Sequence, residues 1–368
     1  MSIDLRTSRN LGRVGLVLAA GTAPETVGAA AREAERRGFD ELWIGEDFFY
    51  GGAISMAGIA LASTERLPVG IGVVSPLTRH PALLAMELAT LAGAYPGRLL
   101  PALGLGAPGW LEQMGLTPPS GLAVMREGVS ALRRLLAGEE LTERASRFSF
   151  QGVRLEYPPE TPLELRVGVI GPRMLRLAGA LGDGVVLALP STTGYVRWAR
   201  EQVEAGASDA GGARRSVTAF ALLVLDEDAT SARELARDVL APHLALAAPN
   251  AVTEVAGATA EIQRLLAAGG VGELARSLPA AWLDEFAVVG DPDRCRSGIE
   301  ALFEAGADAV MLLPAPADRA AFIIELLAGR VLPALRRRAW AEPGPIWNAR
   351  GGLRRRFNVA RPGSGPTG

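Results

Sequence analysis

Two adjacent carboxylates, Glu46 and Asp47, stand in "LWIGEDFFYGG", after an apolar run and before three aromatics and two glycines. If the run is a strand, successive side chains leave on opposite faces, so one acid can aim into a pocket while the other turns sideways. A carboxylate beside Phe48, Phe49 and Tyr50 is partly desolvated, which raises its pKa and suits it to moving a proton. The plain alternatives are a solvated strand rim or a helix N-cap. A second feature is "GIGVVSP", where Gly70 and Gly72 weaken a strand interior unless a bulge or the close approach of a flat ligand requires them. In "VIGPRMLRLAG", Gly171 lets the chain pass close and Pro172 opens a helix whose first-turn N–H groups make an anion site, with Arg173 beside them. A third glycine-rich run, Gly104 to Gly109 in "GLGAPG", fits G-x-G-x-x-G. That pattern signals a dinucleotide fold only on the first strand, with a helix at once and an acid about twenty residues on. Here Pro108 delays the helix and the acid is missing, so the glycines only make room at a pocket mouth, with Trp110 as a lid or stacking residue.

Composition removes other chemistries. The 368 residues contain no lysine, so all 38 basic residues are arginine and neither a Schiff base nor a Walker lysine is available. Cys295 is the single cysteine and reads as a core residue; His80 and His243 lie far apart without metal-ligand spacing, so no metal site is expected. The balance of acids and bases gives no nucleic-acid surface. No apolar window reaches the length of a membrane span and no signal peptide is seen, which places the protein in the cytoplasm. From 341 to 368 the chain is rich in Arg, Gly and Pro without an apolar face and reads as a mobile extension.

Positioning these residues requires a scaffold. Short apolar runs alternate with stretches of helical period: strands at Arg13 to Leu18, "DELWIG", "LPVGIGVV", "GRLLPALGLG", "LELRVGVIG", "DGVVLAL", "RSVTAFALLVL" and "ADAVMLLP". Eight strands with helices between them, and no linker dividing the chain, predict one α/β domain over 12–335, a (β/α)8 TIM barrel rather than an open doubly wound sheet. The rhythm breaks after strands four and seven, which places insertions there. The first holds a loop over 107–119, a helix near 122–137 and an antiparallel arm in "RFSFQGVRLEY". The second, over 226–283, is helical with breaks at Pro242, Pro249 and Gly269-Gly270. In such a barrel the chemistry sits at the carboxyl ends of the strands, where Glu46-Asp47, Gly72 and Gly171 all fall.

The segments "ELWIGEDFF", "VGIGVVSPLTRHPALLAMELATL", "GRLLPALGLG", "VGVIGPRMLRLAGALGDGVVL" and "VGDPDRCRSGIEALFEAGADAVMLL" together resemble the bacterial luciferase-like superfamily, above all its branch dependent on the deazaflavin coenzyme F420. The resemblance covers nearly all of 12–335. It implies a cofactor ring across the strand ends, backed by a bulge with a non-prolyl cis peptide at Gly72, Val73, Val74 and Ser75. It also implies phosphate binding at Gly171, Pro172 and Arg173, with Leu189, Gly106 and Ala107 lining the ring. Relatives usually carry histidine after the acid of strand two, where this chain has Asp47, and some carry a glutamate after strand four, where it has Ala107-Pro108-Gly109-Trp110.

These readings converge on an F420-dependent oxidoreductase that passes a hydride between the deazaflavin and a small organic substrate over its ring. Asp47 is expected to carry the proton, and Glu46 to orient it or raise its pKa. The alternatives are an FMN-dependent monooxygenase of the same superfamily and a barrel that binds a cofactor without catalysis. The substrate walls are expected from 107–119 and 226–283, and the resemblance implies a homodimer.

Overall fold

The computed structural model describes residues 12–341. Apart from Ala341, the Arg-rich extension expected over 341–368 lies outside the described residues. The strands are β1 (Arg13–Leu18), β2 (Leu42–Ile44), β3 (Val69–Val74), β4 (Leu99–Leu103), β5 (Leu141–Arg144), β6 (Ser149–Val153), β7 (Arg166–Gly168), β8 (Gly184–Leu187), β9 (Ser216–Leu225), β10 (Ala287–Gly290) and β11 (Ala309–Pro314). Eight of them, in the order β1-β2-β3-β4-β7-β8-β9-β11, pair in parallel, and β11 returns to β1 to close the barrel. The fold is therefore the predicted TIM barrel.

Both insertions fall where the rhythm broke. The one after β4 carries the helices Pro108–Gln113 and Gly121–Leu136 and the antiparallel hairpin β5-β6, so the stretch read as loop over 107–119 contains a helical turn opened by Pro108. The one after β9 carries helices from Ala229 to Phe286 and an unforeseen strand, β10, which pairs with the last four residues of β9. Pro242 does not break its helix, Ala229–Ala247. Pro242 and Asp238, whose carbonyl it leaves without an amide, are both exposed, so water can serve the orphaned oxygen. The final helix also runs on past Leu327, through a π-helical turn at Leu327–Val331 to Ala341. Among the described residues no helix is long and apolar enough to cross a membrane.

Apolar residues divide between two cores. The larger lies between the sheet and the helices, and a smaller one fills the barrel with Val17, Trp43, Ala102, Val186, Phe220, Ala309 and Met311. Trp43 is completely buried, forms a T-shaped pair with Phe220 at 5.4 Å between ring centroids, and donates its indole N–H to Glu41 at 2.7 Å. An indole this deep leaves no side-chain space on the next strand. Gly70 pairs with Trp43, and a Cβ on Gly70 would run into its ring; a Cβ on Gly72 would stand 3.0 Å from it. The glycines of β3 are thus the counterpart of one tryptophan.

Gly70→Ala is expected to destabilise the fold by about 1–3 kcal/mol through overpacking against Trp43. Chemical denaturation of the two proteins checks this, and an unchanged midpoint would contradict the fit described.

Candidate active site

The carboxyl ends of β2 and β3 meet at the barrel mouth. β3 slips register between Gly72 and Val74, and the Gly72-Val73 peptide is cis. The bulge makes Val73 the extra residue and turns it inward. A Cβ on Gly104 would lie 2.5 Å from Val73 Cγ2, and one on Gly168 would collide with Cγ1, so the valine methyls occupy the space that glycines on β4 and β7 leave open. Val73 in this way plugs the barrel, while Gly72 and Val73 stay half-exposed above it. Gly45 lies alongside, since a Cβ there would stand 3.8 Å from the Gly72 carbonyl oxygen.

Val74 and Ser75, expected beside these two, are fully buried. A bulge reverses the alternation of faces beyond it. Val74 accordingly packs under the helices, and Ser75 Oγ donates to the Leu105 carbonyl at 2.8 Å, tying the end of β3 to the loop after β4. Neither faces the mouth. Gly106, Ala107, Gly171 and Leu189 are half-buried around it, with Pro172 and Arg173 exposed. No side chain caps the helix Pro172–Leu181, and a Cβ on Gly171 would meet nothing within 4 Å, so its first turn is open to an anion. The helix Pro292–Glu304 offers no such opening, because Asp291 caps it through the Arg294 N–H at 2.9 Å. The cavity of about 510 Å³ near the ends of β9 and β11 is lined by Asp226, Glu234 and Asp238 with Arg319, a surface that repels phosphate.

The two carboxylates have separate fates. Glu46, with a side chain only 6% exposed, takes both terminal nitrogens of Arg79 at 2.8 and 2.9 Å and the N–H of Ala53, the first residue of the next helix, at 3.3 Å. This bidentate, buried pair is structural. It overturns the expectation that Glu46 sets the pKa of Asp47, because the carboxylate is spent on Arg79. Arg79 is correspondingly no anion ligand, and His80 caps the helix Pro81–Ala94 by accepting the Ala82 N–H. Asp47 is different. Among the described residues nothing donates to its carboxyl, and although the side chain reaches solvent, the surrounding walls desolvate it enough to raise its pKa. The charge of His243 opposes this rise.

His243 comes from the helix Ala229–Ala247 in the second insertion and hydrogen-bonds through Nδ1 to the Val239 carbonyl at 2.8 Å, which leaves Nε2 uncommitted within its helix. In the sequence this histidine has only the spacing to His80 to speak for it, which suits no metal. No local signal links it to Asp47, nearly two hundred residues earlier. Among the described residues no cluster suits a metal ion. Burial pushes the Cys295 thiol up to about 12, as befits the expected core residue. Trp110 is half-buried with its ring tilted against Phe48 at 5.8 Å, so it braces the carboxylate loop.

The chain can now be set beside known proteins. A family model described as luciferase-like monooxygenase matches residues 11–309. Over 284 residues, 75% of this chain and 86% of the other, it is 30% identical to the 5,10-methylenetetrahydromethanopterin reductase of Methanolobus tindarius. It is likewise 30% identical over 334 residues, 86% and 95% of the two chains, to the F420-dependent glucose-6-phosphate dehydrogenase of Beutenbergia cavernae. In three dimensions it follows the coenzyme F420 dependent tetrahydromethanopterin reductase from Methanopyrus kandleri with a TM-score of 0.79 at 23% identity, over 89% of this chain and all of that one.

A carboxyl whose pKa is raised in the folded state favours folding fully below its unfolded value, near 3.8, and loses that contribution as pH rises through the folded pKa. Asp47→Asn is therefore expected to melt higher than the parent at pH 7, with the gain vanishing toward pH 3.5. Thermal unfolding across that range checks it, and a variant less stable at pH 7 would remove the desolvation argument.

Proposed function

The chain belongs to the luciferase-like monooxygenase family, and from that premise we propose that it is a coenzyme F420-dependent oxidoreductase acting on a small organic substrate bound over the deazaflavin. Bound F420 supplies a ring carbon that gives or takes a hydride. The residues fit such a group. Gly72 and Val73 form a level, half-open floor above a barrel that Val73 has sealed, the uncapped helix at Gly171-Pro172 with Arg173 offers N–H groups and positive charge to a phosphate, and Gly106, Ala107 and Leu189 rim the floor.

The observation that carries the reading is the carboxyl of Asp47, two residues beyond Gly45 at that floor, which takes no donor among the described residues and whose pKa partial burial raises. Hydride transfer to or from a carbonyl- or imine-type carbon leaves one proton to be managed on the heteroatom. Asp47 holds or releases it, and His243, across the mouth, biases the carboxyl toward its charged form. The Glu46–Arg79 pair keeps the loop in place and takes no proton itself.

The relatives named for F420 act on different substrates, so the test uses the cofactor first and turnover second. Purified protein titrated with F420 and, separately, FMN is expected to bind the deazaflavin. Asp47→Asn should bind it equally well and lose about 10²–10⁴-fold in turnover. Preference for FMN with oxygen uptake would overturn the cofactor assignment, and full activity in the variant would overturn the role of Asp47.

The second proposal concerns the partner. The adjoining helices Ala53–Ala62 and Pro81–Ala94 are apolar on nearly all sides, and Ile59, Leu83 and Met86 stay exposed on their outer face. A helix apolar all round belongs inside a structure, so this face meets its equivalent in a homodimer. Light scattering should give a dimer for the parent and a monomer for Leu83→Glu combined with Met86→Glu; a monomeric parent would end the proposal.

A further inference from the structure

The floor of the barrel, opposite the mouth, carries a charge that nothing in the proposed reaction uses. Arg166, on β7, is 3% exposed, and its side chain passes inside the barrel with its guanidinium 5.7 Å from the Trp43 ring. Its Nε and Nη1 atoms are buried without a hydrogen-bond partner, and so is Thr218 Oγ1 on β9. The two sit on one wall. Arg166 pairs with Gly184, and Gly184 with Ser216, while Thr218 lies one inward-facing position further up β9. Gly184 has no side chain to separate them, and a Cβ there would stand 3.4 Å from Arg166 Cγ and run into Ser216 Oγ.

The nearby acids are already engaged. Glu41, 2% exposed, accepts from Arg13 at 2.5 Å and from the Trp43 indole at 2.7 Å. Asp183 accepts from Arg133 and the Leu165 N–H, both at 2.9 Å. Glu164 comes no closer than 3.7 Å to Arg166 Nη2 and is mostly in solvent. Burial lowers the pKa of Arg166, but a guanidinium keeps its proton at neutral pH. Glu41, Glu164 and Asp183 lend Arg166 negative charge through space, but its buried Nε and Nη1 have no acceptor, and buried donors left without one are destabilising.

We propose that Arg166 and Thr218 hold a small monovalent anion of the halide class in the barrel floor, beneath Trp43. The guanidinium supplies charge and two N–H donors, and the Thr218 hydroxyl, with Ser216 beside it, completes the shell. Entry is from the lower rim, where Arg13 and Ser216 are partly exposed. The role is structural: the anion steadies Trp43, on which Gly70 and Gly72 rest, and so acts on the ligand floor from below.

Thermal unfolding of the whole protein in sodium chloride against sodium gluconate at equal ionic strength is the test. It is independent of turnover, so its failure would leave the proposed reaction untouched. Chloride is expected to raise the midpoint by about 2–4 °C over gluconate in a saturating manner. Thr218→Val should shift saturation to higher chloride, and Arg166→Met should abolish the difference. If Arg166→Met does not fold, the parent and Thr218→Val decide. Crystals grown in bromide should show an anomalous scatterer between Arg166 and Thr218. An ordered water there instead, or identical responses to chloride and gluconate, would overturn the proposal.

Discussion

The barrel is organised around one indole. An eight-stranded barrel has an interior just wide enough for its side chains to fill, and Trp43 takes the room of several. Its neighbours must yield: Gly70 and Gly72 on β3 lose their side chains, and Phe220 meets the ring nearly at right angles. With its glycines laid over the indole, β3 bulges at its upper end and inserts Val73, which in turn requires Gly104 and Gly168. The indole N–H must also be satisfied where water is scarce, and Glu41 does this, with Arg13 balancing Glu41. A packing decision at one position thereby sets the ligand floor above and the buried charges below.

The mouth shows how the fold distinguishes two neighbouring carboxylates. Glu46 is secured by a two-point bond to Arg79 and caps the following helix through Ala53, so removing either partner would leave a buried charge unpaired, a change that typically costs about 3–5 kcal/mol. Asp47 receives no such compensation. Its desolvation is unfavourable for folding and useful for proton transfer, the usual trade between stability and activity. Residue type alone does not separate these roles. Their partners do, and Arg79 arrives from the loop after β3 while His243 arrives from a helix of the second insertion.

Much of the scaffold was legible because parallel barrel strands are apolar on both faces while most of the helices between them are amphipathic. Arg13–Leu18 is observed with the boundaries the pattern indicates, and both insertions lie where the alternation fails. Errors gathered where a local rule was overridden by distant structure. β10 is only four residues long and exists because the upper half of β9 offers it an edge. The resemblance maps its bulge onto Gly72 to Ser75, and the bulge and cis peptide are present at Gly72-Val73, but they switch the faces beyond them, which takes Val74 and Ser75 out of the mouth. The Glu46–Arg79 bond spans 33 residues and follows only from the adjacency of β2 and β3. His243 needed the whole second insertion to be folded over the mouth.

The loop after β2 shows the cost of holding Asp47 in place. Glu46 is fixed at one side by Arg79, and Phe48, 7% exposed, at the other, where a Cβ on Gly106 would come within 2.6 Å of its ring. With both flanking residues anchored, Asp47 has little freedom although its carboxyl makes no bond among the described residues, which is the preorganisation a proton-moving group needs. The chain must then turn within a few residues to reach Ala53, whose N–H returns to Glu46. Phe49 absorbs that turn with φ at 75°, alone among the described non-glycine residues in having a positive φ, and its ring is left 67% exposed. A bulky residue in this region costs about 1–3 kcal/mol and persists where its surroundings over-determine it. Here they are the Arg79 bond and the Phe48 pocket. The strain at Phe49 and the idle carboxyl at Asp47 thus follow from the same two anchors.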